Sequence, residues 1–231
     1  MRNFRSFVLW FFGVITFAIS GTLFILFSLV LPQNYLFRVA RVLCRVILTT
    51  IGQRIKVSGS IPNLSMGPYI YMFNHTSLLD TFIMIATLPE FVAAVGKREQ
   101  FQVPLWGWIL RNWGAVPIDR SNLARAKESL NVVQDALHKG RSLLIAPEGT
   151  RSRDGNLGPL KKGPFHLSIN THSSIVPVHI HGAFAAKNRN SWLLTPKTIT
   201  VHYGSCIKPD TQSLESLLTR VSESLSSKCT S

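Results

Sequence analysis

The sequence has few acidic residues and few cysteines, and both shortages exclude kinds of protein. Its 231 residues include eleven Asp and Glu against twenty-five Lys and Arg, a formal net charge of +14. This balance indicates an anionic partner: nucleic acid, a membrane surface or a phosphorylated substrate. The three cysteines, Cys44, Cys206 and Cys229, are too few and too scattered for a disulfide framework or a zinc site. They are typical of reduced thiols in a protein that faces the cytosol.

Other absences narrow the function further. The chain has no RNP, zinc-finger or helix-turn-helix signature, so its charge alone does not predict nucleic-acid binding. It has no G-x-S-x-G serine elbow, which a hydrolase of the common serine type would need. No repeat and no Gly/Ser-rich linker divides it, and its 46% apolar content excludes a disordered protein.

The first thirty residues contain a long uncharged segment. No charge occurs between Ser6 and Leu31, and Phe, Leu, Ile and Val dominate that run. A helix of this length spans roughly 37 Å, more than the ~30 Å hydrocarbon layer of a bilayer. A buried helix of a soluble protein is one alternative. A cleaved signal peptide starting with Arg2 and Arg5 is another, but the apolar run continues past the possible cleavage site, which favours retention.

After Pro32, which is predicted to end this helix, a second and basic helix is predicted over 36–48. Arg38, Arg41 and Arg45 recur at i, i+3 and i+7 and therefore share one face. Such a helix is typical of the headgroup boundary of an anionic membrane. The alternative is a helix packed on its own domain. Residues 1–52 are interpreted as a membrane anchor, and arginines on both sides of the first helix leave spanning and re-entrant insertion open.

Residues 53–231 have the pattern of one α/β domain. Short apolar runs alternate with helical stretches, which predicts a layered, mostly mixed β-sheet with flanking helices. Strands are predicted over Arg54–Gly59, 69–73, 91–95, 115–118, 142–146, Ile175–His181 and 197–203, and helices over 78–86, 122–139, 163–170 and 213–226.

The first chemical motif follows the strand at 69–73 and contains Asn74, His75 and Asp80. With His75 at the strand exit and Asp80 in the first turn of a helix, the carboxylate can turn back to the imidazole. A histidine held in this way is a general base. The alternative is that Ser77 and Asp80 form a capping box, which would make Asp80 structural.

The second motif runs from Pro147 through Glu148, Gly149 and Thr150 to Arg151, after the strand at 142–146. It places charged groups at the carboxyl end of a strand, where open α/β sheets bind ligands. Arginine donates two parallel hydrogen bonds and therefore suits phosphate. Glu148 is expected to hold Arg151 or a neighbouring hydroxyl in place. An ordinary solvated loop with a surface ion pair is the alternative.

Two weaker motifs complete the pattern. One contains Gly114, Asp119 and Arg120 around a short strand, and the other contains Pro177 within a strand. The four motifs, in this order and spacing, resemble those of the glycerolipid acyltransferase family, which includes the lysophosphatidic acid acyltransferases. The resemblance covers roughly residues 54–210. Pro117 and Ala146 depart from the family pattern, where aromatic or aliphatic residues are usual.

The resemblance implies transfer of an acyl group from an acyl thioester, acyl-CoA or an acyl carrier protein, to the sn-2 hydroxyl of lysophosphatidic acid. His75 would be the base, oriented by Asp80, and no metal or redox cofactor would be needed. The acceptor phosphate would be bound by Arg120 and Arg151, with support from Lys97 and Lys162. Backbone N–H groups near the helix start after His75 are the expected oxyanion donors.

The resemblance also implies a membrane-associated enzyme whose active site faces the cytoplasm, as at a cell inner membrane. Three alternatives stay open: another lysophospholipid or an aminolipid as acceptor, a covalent acyl-enzyme on Ser77 or Ser152, and a non-enzymatic basic membrane-binding protein.

Overall fold

The computed structural model describes residues 1–118, 123–209 and 213–226, and only the backbone of residues 123–130. Seven strands occur in this part of the chain: β1 (Arg54–Gly59), β2 (Ile70–Phe73), β3 (Val92–Lys97), β4 (Val116–Ile118), β5 (Ser142–Ile145), β6 (Ile175–His181) and β7 (Thr198–Tyr203). The helices there are α1 (Arg2–Ser28), α2 (Gln33–Thr50), α3 (Asp80–Thr87), α4 (Trp106–Trp113), α5 (Leu123–His138), α6 (Gly163–Thr171), α7 (Ala183–Ala186) and α8 (Leu214–Ser226), with short 3-10 turns at Leu64–Met66 and Arg98–Gln102.

The strands form one mixed sheet in the order β1-β7-β6-β2-β5-β3-β4. Strands β2 to β6 run parallel, whereas β7 is antiparallel to β6 and parallel to β1. The central strands β2 and β5 are buried along their whole length, because helices cover both faces of the sheet there. The predicted layered α/β fold with a mixed sheet is thereby confirmed.

Two apolar cores lie on opposite faces of this sheet. The larger core joins α1, α2, α3 and α4 to one face, with Tyr71, Ile83 and Val178 among its fully buried members. The smaller core joins α5, α6 and α8 to the other face around Ile70 and Phe165. The catalytic motifs therefore lie at the edge of a sheet that is fixed from both sides.

Helix α1 is long and apolar enough to cross a bilayer, and 22% of its most apolar window is buried within the protein. One side packs on α2 and α4, while Phe4, Phe7, Phe11 and Ile19 on the other side are exposed. The helix ends at Ser28, before Pro32, and not at the proline as predicted. Pro32 instead caps the start of α2, where its fixed φ suits the first turn.

Helix α2 packs its apolar face inside the protein, against α1 and α3. Leu36, Phe37 and Leu48 are buried there, while Arg38 and Arg45 are exposed. The structure thus shows α2 packed on its own domain, and a position of its exposed arginine face at a membrane surface stays a prediction. The division of the chain at residue 52 stays a prediction, and the apolar core continues across it.

Gly107 determines how α4 packs beside the turn that precedes it. A Cβ at this position would overlap the backbone carbonyl group of Phe101, with the Phe101 carbonyl carbon at 2.6 Å. We expect Gly107→Ala to lower the free energy of unfolding by about 1–3 kcal/mol, because backbone cannot relieve the overlap by a rotamer change. Thermal unfolding of the full chain in detergent measures this.

Gly21→Ala on α1 is the matched control. Its Cβ would meet only flexible side-chain ends, Ile109 Cδ1 at 3.0 Å and Leu105 Cδ2 at 3.3 Å. Equal melting temperatures for the two variants would contradict the proposed packing of α4.

Candidate active site

The two strongest motifs meet at the carboxyl edge of the sheet. Strands β2 and β5 are parallel neighbours, so the segments that follow them leave the sheet side by side. The Ser152 N–H donates to the His75 carbonyl oxygen at 2.7 Å and joins the two segments directly. The sheet order thus brings together residues that are more than seventy positions apart in the sequence.

His75 and Asp80 form the central pair of the site. The His75 Nδ1 atom lies 2.8 Å from Asp80 Oδ2, the Asp80 side chain is fully buried, and the His75 side chain is 23% exposed. A carboxylate accepts but does not donate, so the hydrogen bond assigns the proton to Nδ1. The Nε2 atom is then left as an acceptor on a ring that solvent and substrate can reach.

Asp80 also organises the backbone between itself and His75. Its Oδ2 atom accepts hydrogen bonds from the Thr76 and Ser77 N–H groups, both at 2.7 Å. Helix α3 begins at Asp80 with Leu79 as its N-cap residue and has no side-chain cap bond, so the predicted capping box is not complete. Asp80 instead fixes the turn that precedes α3 and holds the imidazole.

The expected oxyanion donors are engaged elsewhere. The Thr76 and Ser77 N–H groups point at Asp80, the Leu79 N–H donates to Ser77 Oγ at 3.2 Å, and the His75 N–H donates to Glu148. These four backbone donors therefore face inward, and the expectation that N–H groups after His75 bind the oxyanion was wrong for them.

Glu148 has a different role from the one predicted. Its buried carboxylate accepts from the His75 N–H at 2.6 Å through Oε1 and from the Gly158 N–H at 2.8 Å through Oε2. It therefore fixes the backbone of the histidine and not the Arg151 guanidinium. Burial raises the pKa of Glu148, and the two backbone hydrogen bonds lower it in part.

His75 lies where two cavities meet. A polar cavity of about 250 Å³ is lined by Lys97, Thr150 and Arg151, and Gly149 forms part of its wall. An apolar cavity of about 400 Å³ extends from His75 to α1. The residues that line both cavities are His75, Thr81, Gln100, Trp106 and Arg151. The site thus offers cations on one side of the imidazole and an apolar space on the other.

The remaining predicted site residues support the backbone or lie apart from the cavities. The Asn74 side chain exchanges two hydrogen bonds with the backbone of Ile180, at 2.7 and 3.0 Å, and ties β2 to β6. Pro147 and Pro177 are buried. Gly114 caps α4 in a left-handed conformation with a φ of 77°.

Three of the predicted phosphate ligands differ in placement. Lys97 borders the polar cavity, and its ammonium lies 3.1 Å from Glu99 Oε1 at an exposed position. Lys162 is exposed at the start of α6 and is not part of either cavity wall. Arg120 and its neighbour Asp119 lie outside the described residues.

Neither serine that was considered as a nucleophile suits that role. Ser77 is fully buried and donates its hydroxyl to the Lys187 carbonyl oxygen at 2.6 Å. The Ser152 hydroxyl donates to Asp154 Oδ1 at 3.0 Å. Among the described residues, no group of three or more His, Cys, Asp or Glu side chains is arranged to hold a metal ion.

Several residues of the site carried no sequence signal. Trp10, Gly13 and Phe17 of α1 line the apolar cavity, and Gln100 and Trp106 line both cavities. The three residues of α1 fell within the predicted membrane anchor, whereas Gln100 and Trp106 belonged to no predicted element. Only the folding of α1 and α4 beside the catalytic edge places them at the site.

Comparison with known proteins gives a consistent result. A family model described as acyltransferase matches residues 54–181. A 1-acyl-sn-glycerol-3-phosphate acyltransferase of Pseudomonas aeruginosa is 33% identical over 80% of this chain and 73% of its own length. One of Cocos nucifera is 38% identical over 72% of this chain and 54% of its own length.

The chain spans about half the length of three plant relatives that it matches, those of Cocos nucifera, Limnanthes douglasii and Limnanthes alba. The crystal structure of the 1-acyl-sn-glycerophosphate (LPA) acyltransferase of Thermotoga maritima matches with a TM-score of 0.84, covering 100% of both chains at 23% identity. This similarity shows that the two chains share a fold.

The raised pKa of Glu148 predicts a pH dependence of stability. The unfolded value is about 4.5. A folded pKa above the unfolded one means that the folded state binds the proton more tightly, so this contribution is complete below pH 4.5 and is lost as the pH rises through the folded pKa. We expect the melting temperature of the wild type, relative to that of Glu148→Gln, to fall as the pH rises above about 4.5.

The glutamine variant is the reference because it cannot titrate. Thermal unfolding of both proteins at a series of pH values measures the difference. If the melting temperature of the wild type minus that of Glu148→Gln stayed constant or grew with pH, burial would not disfavour the charged form of Glu148.

Proposed function

Because this chain belongs to the acyltransferase family, we propose that it transfers a fatty acyl group from an acyl thioester to the sn-2 hydroxyl of lysophosphatidic acid, which forms phosphatidic acid. The observation that carries this proposal is the placement of His75. Its ring is held by Asp80 and lies between a cavity with two cations and a cavity lined by apolar side chains. A lipid with a phosphate head and a hydrocarbon chain has the same two parts.

The proposed reaction starts at His75 Nε2. This nitrogen accepts the proton of the acceptor hydroxyl while the hydroxyl oxygen forms a bond to the thioester carbonyl carbon. The C–S bond then breaks, and the imidazolium returns the proton to the leaving thiolate. Asp80 stabilises the imidazolium and keeps the ring oriented, because it is buried and bonded to Nδ1.

The polar cavity suits the acceptor phosphate. Arg151 lines both cavities, and Lys97 adds a second cation on the polar side. A guanidinium binds phosphate with paired, charge-assisted hydrogen bonds. This favours lysophosphatidic acid over an aminolipid, whose headgroup carries no phosphomonoester.

The apolar cavity suits an acyl chain. A smaller apolar cavity of about 70 Å³ continues behind it, between α1, α2 and α4, and shares Phe17, Phe82 and Trp106 with it. Each CH₂ that moves from water into such a space contributes roughly 0.8 kcal/mol. An acyl chain that extends along α1 would therefore be held without specific polar contacts.

The membrane location is part of the proposal. The exposed apolar side of α1 suits a bilayer, and acyl-CoA or an acyl carrier protein would reach the site from the cytoplasm. The two donors carry the same thioester and differ in the group that carries it. Transfer assays with palmitoyl-CoA and with palmitoylated carrier protein therefore show which of them the protein uses. Nucleic acid is not proposed as a partner.

His75→Ala is expected to abolish acyl transfer, because the other titratable side chains among the described residues that line the two cavities are Lys97 and Arg151, which do not serve as bases. Thiol release from palmitoyl-CoA, measured with and without lysophosphatidic acid, tests this. His166→Ala, on the exposed side of α6, is the control and should keep wild-type turnover. Wild-type protein that releases no thiol with lysophosphatidic acid would refute the proposed function, and a fully active His75→Ala would refute the base.

Arg151→Ala is expected to raise the KM for lysophosphatidic acid about 10- to 100-fold and to change the KM for the thioester little. The reason is the loss of a charge-assisted bond to phosphate, worth about 1.5–3 kcal/mol. Arg153→Ala is the matched control, since Arg153 is exposed two positions away and is not part of either cavity wall. Equal effects of Arg151→Ala on both substrates would place the phosphate elsewhere.

A further inference from the structure

Residues 187–195, here called the strap loop, form a closed loop after α7. The Thr195 N–H donates to the Ala186 carbonyl oxygen at 2.9 Å and joins the two ends. Inside the loop, the Lys187 ammonium donates to the carbonyl oxygens of Asn188 and Ser191, both at 2.6 Å. Lys187 is only 9% exposed, so the loop is built around a buried charge that its own backbone satisfies.

One side of the strap loop is bonded to α1. The Ser6 hydroxyl donates to the Leu194 carbonyl oxygen and accepts from the Leu194 N–H, both at 3.2 Å. The Trp10 indole N–H donates to the Trp192 carbonyl oxygen at 2.7 Å. The Lys187 ammonium also lies 6.0 Å from the centre of the Trp10 ring. Ser6 is fully buried, so the loss of either bond would leave a polar group without water to replace it.

The other side of the strap loop is bonded to the catalytic turn. The buried Ser77 hydroxyl donates to the Lys187 carbonyl oxygen at 2.6 Å. The N–H of the same serine donates to Asp80 Oδ2, the atom that holds His75. From Ser6 to the imidazole, hydrogen bonds thus alternate with peptide bonds of the strap loop: Ser6 bonds to Leu194, Thr195 to Ala186, and Lys187 to Ser77, which bonds to Asp80.

The strap loop also contacts the arginine segment. Arg189 Nη1 donates to the Arg151 carbonyl oxygen at 3.1 Å, and Asn190 donates to the Arg153 carbonyl oxygen at 2.8 Å. The loop therefore contacts α1, the histidine turn and the arginine segment at once. A shift of α1 would move the loop against both halves of the site.

We propose that Ser6 and Trp10 of α1 are positioning residues for the His75–Asp80 pair and act through the strap loop and Ser77. The expected change in kcat rests on the proposed function, whereas the expected change in hydrogen exchange at the histidine turn does not. The inner side of α1 packs on α2 and α4, and its outer side is apolar and exposed, so the helix borders both the protein and the surrounding medium. The strap loop transmits the position of the helix to the catalytic turn.

Ser6→Ala tests this path at its far end. We expect kcat for acyl transfer to fall about tenfold with the KM of both substrates within twofold, because substrate contacts are unchanged while the pair is less well oriented. Hydrogen exchange at the Thr76 and Ser77 N–H groups, which are bonded to Asp80, should become faster. Ser6→Thr, which keeps the hydroxyl, should restore both values.

Ser28→Ala is the matched control on the same helix. The Ser28 hydroxyl bonds to the Ile25 carbonyl oxygen and to Asn112 of α4, and not to the strap loop. This variant should keep kcat within twofold and leave exchange of the catalytic turn unchanged. Equal effects of Ser6→Ala and Ser28→Ala on both readouts would overturn the proposal.

A double variant tests whether Ser6 acts on the His75–Asp80 pair only through Ser77. Ser6→Ala combined with Ser77→Ala should lose no more than Ser77→Ala alone, whereas independent effects would multiply and contradict the proposal. If Ser6→Ala does not fold, Trp10→Phe replaces it with hydrogen exchange as the only readout, because Phe removes the N–H donor but also part of the indole ring that lines the apolar cavity. If the wild type transfers no acyl group to lysophosphatidic acid, the proposed function fails, and hydrogen exchange still decides the positioning role.

Discussion

The single oxygen Oδ2 of Asp80 is the constraint on which the site depends. A buried carboxylate is costly unless hydrogen bonds compensate it, and this atom accepts three, from the His75 ring and from two backbone N–H groups. The same three bonds fix the turn between β2 and α3 and orient the imidazole. Because one atom does all of this, the geometry of the base cannot vary independently of the fold around it.

Glu148 repeats this arrangement at the end of the neighbouring strand. Its two oxygens hold the His75 N–H from one side and the Gly158 N–H from the other. Both carboxylates thus bond to His75, one through its ring and one through its backbone N–H, whereas Lys97 and Arg151 line the polar cavity beside it.

The extent to which the site could be predicted depended on how far apart its residues are in the sequence. The pairing of His75 with Asp80 is local, since five residues join a strand exit to a helix start. The main partner of Glu148 was not predictable, because a carboxylate bonded to a backbone N–H group seventy-three residues away leaves no side-chain pattern. The contacts of Ser6 and Trp10 with the strap loop are non-local in the same way.

The fold shows the same difference between local and non-local information. Strands bounded by polar turns and helix α5, with its long periodic pattern, are close to their predicted bounds. Helix α4 was missed because it has eight residues, no side-chain cap, and a start after Leu105 at a φ of 58°. The apolar face of α2 was assigned to a membrane surface, and periodicity alone does not distinguish lipid from protein as the partner of such a face.

Helix α1 lies between the apolar cavity on its inner side and the exposed apolar surface on its outer side. This arrangement indicates how a membrane lipid would reach the site. Its outer side exposes Phe11 and Ile19, while Gly13 and Phe17 face the apolar cavity. A sixteen-carbon chain that crossed water would lose roughly 0.8 kcal/mol per CH₂, more than 10 kcal/mol in all. A path along α1 avoids this loss because the chain stays in apolar surroundings throughout. In the proposed membrane location, the helix that borders the bilayer is also a wall of the cavity, and the proposed contacts through the strap loop link its position to that of the His75–Asp80 pair.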